Sequence, residues 1–178
     1  IIGLITVVLV YAVTTTALRL APSEAVEQMA RDANNAAEGI PYFIQTGQSL
    51  LMEFASDERL FGTDYAALET RLRRDLRMVV FFDQLLLFDS SGQRLAEYPP
   101  EPVGDLELTA EERTLLERGI ASGAPQISPV HRSEQDAVMM SFVAPMFAPS
   151  ETNGEAPVSR LLLGRTRLNT NLLIGRIL

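Results

Sequence analysis

The stretch FFDQLLLFDSSGQRLAEYP, Phe81 to Pro99, constrains the fold more than any other part of the chain. Its first run, Phe81 to Phe88, is apolar except for Asp83 and Gln84. A short apolar run bounded by turn residues fits a strand buried on both faces, although periodicity alone also admits a buried helix. The turn Asp89-Ser90-Ser91-Gly92 argues for the strand. Asp and Ser bond back to nearby backbone N–H groups, and Gly accepts a positive φ. Leu95, Ala96 and Tyr98 continue a return strand, which Pro99-Pro100 ends.

The rest of a sheet follows this hairpin. Ala124 to Val130 reads as a short strand, Arg132 to Asp136 as a polar turn, and Val138 to Phe147 as a second strongly apolar strand. Pro145 places that strand near an edge or a bulge. Ser159 to Leu168 is the last strand, and Asn171 to Leu178 begins a final helix. Between the hairpin and these strands, Thr109 with Glu112 forms a capping box that opens a helix from Ala110 to about Ile120, stopped at Ser122-Gly123. Ahead of the hairpin, Tyr65 to about Val79 is a helix with Leu68, Leu72, Leu76 and Val79 on one side. Short polar turns between successive strands favour an antiparallel sheet, so the fold class is α+β.

The N-terminal part has a different character. Ile1 to Leu18 contains no charged residue, which fits a transmembrane helix over residues 1–20. Residues 21–56 read as a long stalk helix kinked near Pro41. Val26, Ala33, Ile40 and Gly47 form one row of a weak heptad, and Ala30, Ala37, Ile44 and Leu51 form the other. That face either lies on the protein's own domain or pairs in a parallel dimer. Residues 57–178 form the folded module.

Composition excludes several functions. A net charge of −8 argues against nucleic acid, which needs a basic face. The absence of Cys removes thiolate metal sites, and the single histidine, His131, cannot build a multi-histidine one. No phosphate loop and no nucleophile–base signature stands out, so no enzyme and no cofactor is expected. The polar groups available to a pocket are Arg73 and Arg77 on the helix entering the sheet, and Ser128, His131, Arg132 and Ser141 on the later strands. Arginine suits a carboxylate through its planar fork. Each has a plainer reading: the arginines as a solvated helix face, Ser141 as a satisfied core hydroxyl, His131 as a surface residue at a strand end.

The run FDQLLLFDSSGQRLAEYP, then ERGIASGAPQISPV, VMMSFVAPMF and SRLLLGRTRLNTNLLIGRIL, resembles the extracytoplasmic Cache domain, the PAS-like sensor module of bacterial receptors. The resemblance covers about Leu18 to Leu178. It implies a membrane-emergent N-terminal helix, a five-stranded antiparallel sheet flanked by helices, and a homodimer. It also implies an output module such as a histidine kinase, chemoreceptor or cyclase elsewhere in the receptor. The implied ligands are small metabolites such as amino acids or organic acids. Members that bind amino acids carry a Tyr, Arg, Trp and Asp signature, and this chain has no Trp. The alternative is a membrane-anchored assembly subunit that uses the fold without a ligand. If Ile1 to Leu18 spans a membrane, the full chain partitions with membranes on fractionation; recovery in the soluble fraction contradicts the span.

Overall fold

The computed structural model describes residues 28–29, 39–100, 107–133, 136–148 and 157–171. The expected span over 1–20, residues 21–27 and 30–38 of the stalk and nearly all of the final helix lie outside the described residues. Among the described residues no helix is long and apolar enough to cross a membrane. The chain divides into two units, Ile1–Pro41 with Ile177–Leu178, and Tyr42–Arg176. The second is described here.

Helix α1 covers residues 39–55. A 3-10 turn follows at Glu58–Phe61, capped by Asp57, whose carboxylate accepts from Arg59 N at 2.9 Å. Helix α2 spans Tyr65–Met78, capped by Asp64. Strands β1 (Gln84–Asp89) and β2 (Arg94–Tyr98) form the hairpin. Helix α3 spans Ala110–Ser122. Strands β3 (Gln126–Ile127), β4 (His131–Arg132), β5 (Val138–Phe147) and β6 (Val158–Arg167) complete the sheet. All pairings are antiparallel, and the order is β2-β1-β6-β5-β3, with β4 also on β5.

The hairpin turn forms as its residues dictate. Asp89 Oδ1 accepts from Ser91 N, Ser91 Oγ and Gln93 N at 2.9, 2.7 and 2.9 Å. Gly92 sits at φ 83, where a side chain would be strained. Those bonds, the Ser91 hydroxyl first, hold the Asp89 carboxyl below its usual range. Helix α3 carries the expected capping box, and Gly123 ends it in the left-handed conformation at φ 61.

Three expectations need correction. Strand β1 starts at Gln84, because Phe81–Asp83 form a turn instead. There the Phe81 carbonyl accepts from Thr166 Oγ at 2.9 Å and Asn171 Nδ2 at 3.0 Å, while Asp83 accepts from Arg167 N at 2.6 Å. The sheet has six strands rather than five, since the lane beside β5 is broken in two at Ser128-Pro129-Val130. Proline has no N–H to give a ladder there. Arg132, expected to open a polar turn, instead pairs with Val138, next to the His131–Met139 pair. Pro145 lies past the β5 residues paired with β3 and beside a register irregularity at Met146/Phe147, as a proline in a strand requires.

Strand β6 is central, and both faces of the sheet are covered. That is why Leu161, Leu162 and Leu163 are all buried in succession, as are Leu85 to Phe88. On one face α1 lays Phe43, Leu51 and Phe54 over the sheet. Phe43 stacks on Phe81 at 4.7 Å, and Phe81, Phe82 and Phe142 meet edge to face. The approach is too close for side chains at two points. A Cβ at Gly47 would lie 2.6 Å from the Phe81 ring, and one at Gly164 would lie 2.7 Å from Phe82. So over residues 43–55 the helix face lies on its own domain; the stalk face nearer the N-terminus is outside the described residues. On the other face Leu115 and Leu116 of α3 pack on Leu86, Phe88, Val143, Leu161 and Leu163. Helix α2 covers β2 and part of β1. Its Leu68 and Leu72 are buried as expected. Arg160 of β6 pins the 3-10 turn by donating to the carbonyls of Leu60, Phe61 and Gly62.

Overpacking a tight core costs about 1–3 kcal/mol. Gly164→Ala is therefore expected to lower the thermal midpoint by several degrees, read by circular dichroism. An unchanged midpoint would mean that Phe82 and Leu51 have room to yield.

Candidate functional site

The sheet face under α3 is apolar at one end and polar at the other. Alternation along β6 puts Leu161, Leu163 and Arg165 on that face. Arg165 is 2% exposed, and the carboxylate it meets, Glu112 of α3, is fully buried. The two groups bind side on. Arg165 Nε donates to Glu112 Oε1 at 2.8 Å, and Nη2 donates to Oε2 at 2.7 Å. Nη1 donates to Gln84 Oε1 of β1 at 2.9 Å, and Nη2 donates also to the Glu107 carbonyl at 3.0 Å.

Glu112 is also the third residue of its helix. Its Oε2 accepts from Thr109 N at 3.1 Å, which completes the capping box. Ser141 of β5 donates its hydroxyl to Oε1 at 2.7 Å. Burial pushes this carboxyl up, but the Arg165 hydrogen bonds and charge, with the Ser141 and Thr109 donors, outweigh it and hold the group below its usual range.

Ser128 extends the network to the broken edge. Its Oγ accepts from Ser141 N at 2.9 Å and lies 3.3 Å from His131 Nδ1, and Ser128 N donates to the Ser141 carbonyl at 2.8 Å. His131 Nε2 lies 3.9 Å from Glu112 Oε1. The fold thus brings together three of the six residues singled out from the sequence, Ser128, His131 and Ser141. His131 is buried, against the surface reading, because the lane break turns its ring under α3. Ser141 is a satisfied core hydroxyl.

The other three lie elsewhere. Arg132 is exposed and bonds Asp136 at 2.7 Å. Arg73 and Arg77 are exposed on α2, where Thr70, Arg73, Arg74, Arg77 and Met78 line an open cleft of about 400 Å³. Arg73 also sits over the Tyr98 ring at 5.9 Å. The two charged residues at the centre of the network, Glu112 and Arg165, were not singled out. In the sequence the first reads only as a cap. The second had a signal, a charge in register with Leu161 and Leu163. Among the described residues no group of three His, Asp or Glu is arranged to hold a metal.

No protein-family model and no curated protein matches the sequence. Solved structures do. The ligand-binding domain of the Pseudomonas aeruginosa PAO1 amino acid chemoreceptor PctC, in complex with GABA, is similar at a TM-score of 0.58 and 14% identity, covering 82% of this chain and 60% of that one. The periplasmic domain of Vibrio cholerae LuxQ matches at 0.58 and 12%, covering 83% and 68%. The ligand-binding domain of the Campylobacter jejuni chemoreceptor Tlp3, in complex with L-norvaline, matches at 0.57 and 10%, covering 79% and 58%. The fold is shared with these ligand-binding and periplasmic domains. The chain spans 60% of the length of the PctC domain.

A carboxyl held below its usual range contributes stability that is present above its unfolded value and lost as pH falls through the folded one. Asp83 and Asp75 are displaced upward, in each case chiefly by burial, and act in the opposite sense. The expected result is a fall in urea-unfolding free energy below the ordinary glutamate range. In Glu112→Gln, less stable at neutral pH, that fall is shallower. Equal acid slopes would remove Glu112 as its source.

Proposed function

We propose that this chain is the extracytoplasmic ligand-sensing part of a membrane-anchored signalling receptor, and that its ligand is a small carboxylic acid. The observation that carries the reading is the buried Arg165 fork filled by a carboxylate from the chain's own helix. A guanidinium in this setting is a carboxylate receptor, and Glu112 is its internal occupant. A ligand carboxylate that replaces Glu112 keeps the charge balance of the site and frees the first turn of α3. Ser141, Ser128 and His131 are then the polar groups left to orient the rest of the ligand. GABA and L-norvaline, held by two structures of the same fold, both carry a carboxylate, which supports this class of ligand. Membrane anchoring through residues 1–20, a homodimer through the upstream helix and passage of the signal along that helix belong to the same proposal.

One observation favours the second reading, an assembly subunit without a ligand. Glu112 already fills the Arg165 fork, and none of four cavities on the domain is lined by Arg165. The open cleft at Arg73 and Arg77 is the other place where a carboxylate could be clamped.

A thermal-shift series on the full chain with GABA, L-norvaline and short dicarboxylates decides among these. A ligand that binds only the folded state adds about 2.7 kcal/mol at a hundred times its Kd. The sensing reading expects a concentration-dependent rise that Arg77→Ala leaves intact. A rise abolished by Arg77→Ala moves the site to the α2 cleft. No rise with any acid supports the assembly subunit.

A further inference from the structure

His131 is the only histidine in the chain, and its side chain is 2% exposed. Its Nδ1 lies 3.1 Å from the Pro129 carbonyl, which can only accept, and 3.3 Å from Ser128 Oγ, which accepts from Ser141 N and can accept again, so we place the neutral ring's proton on Nδ1. The lone pair on Nε2 then points into the interior. It has no hydrogen-bond partner among the described residues, and the group it faces at 3.9 Å is another acceptor, Glu112 Oε1. An unpartnered buried acceptor opposed to a carboxylate is costly and calls for an explanation.

We propose that His131 and Glu112 together form a proton-binding site. A proton taken up at Nε2 turns the acceptor into a donor and closes the gap into a charge-assisted hydrogen bond. No third group is needed: the imidazole gains one proton and one charge, and the facing carboxylate stays ionised. Imidazole is the side chain whose ordinary charge change falls between about pH 5 and 8.

The surroundings set the consequence. From α3 the ring faces Glu112, and β6 places Arg165 behind that carboxylate. Strand β5 contributes uncharged Met139 and Ser141. On the histidine's own strand and turn, Arg132 and Asp136 pair with each other in solvent. Protonation therefore places a second cation on a carboxylate already held by Arg165 Nε, Arg165 Nη2 and Ser141 Oγ. The imidazolium competes with those donors for Oε1 and draws Glu112 toward β4. Glu112 closes the capping box of α3, so the seat of that helix's first turn responds to pH. This inference concerns the proton alone and stands whether or not a carboxylate ligand binds.

The single histidine makes the test direct. The full chain, in detergent micelles and labelled with carbon-13 and nitrogen-15, gives one imidazole Cε1–H signal. Between pH 8 and 5 that signal is expected to titrate, and the Arg165 Nε–H and Thr109 amide signals are expected to shift with the same midpoint. His131→Asn keeps an amide near the Pro129 carbonyl but has no counterpart of Nε2. In that variant the Arg165 and Thr109 shifts over this range are expected to vanish. The proposal is overturned if the Cε1–H signal is constant from pH 8 to 5. It is equally overturned if the signal titrates while Arg165 and Thr109 stay still, or if their shifts persist in His131→Asn.

Discussion

The Arg165–Glu112 pair is the interaction on which the polar half of this domain rests. Taking both charges out of water costs several kcal/mol per ion, and only good geometry with further hydrogen bonds repays it. Here both conditions are met. The guanidinium is side-on to the carboxylate, and its other protons go to Gln84 and the Glu107 carbonyl. The carboxylate also takes the Ser141 hydroxyl and the Thr109 amide. The pair therefore ties β1, β5, β6 and the N-terminus of α3 to one point. Leu115 and Leu116 seat the rest of that helix by burial alone, which fixes no register. The charged pair supplies it.

The opposite face works by exclusion of space. Between α1 and the sheet there is room for five phenylalanine rings only because Gly47 and Gly164 present bare backbone. That face is close-packed. The α3 face is apolar at one end and held by exchangeable hydrogen bonds and charge at the other. A domain built this way yields first at α3, because polar contacts can be traded for equivalent ones while interlocked rings cannot. The proposals for a carboxylate ligand and for a proton both act at that yielding point.

Much of the fold was legible in the residues. Strand β5, the capping box at Thr109 and Glu112, and the Asp89 turn stand where local chemistry puts them, because each depends on neighbours in sequence. The start of β1 was misread, since Phe81 and Phe82 are as apolar as a strand requires and only Thr166 and Asn171, far along the chain, hold them in a turn. The break that makes β3 and β4 separate was visible as Pro129, but the pairing of His131 with Met139 was not. The site was half legible. Ser128, His131 and Ser141 could be named, while the carboxylate that Ser141 bonds and His131 faces could not, because Glu112 already had a sufficient local role as a cap. Only tertiary pairing gives it a second.

A double-mutant cycle on Arg165 and Glu112 measures the central interaction directly. Arg165→Met and Glu112→Leu each strand a buried charge, at a cost of about 3–5 kcal/mol. The account predicts that the doubly substituted protein is more stable to urea than either single variant, since neither charge is then left alone. Losses that simply add would mean that the two residues stabilise the domain independently, and that α3 is seated by something else.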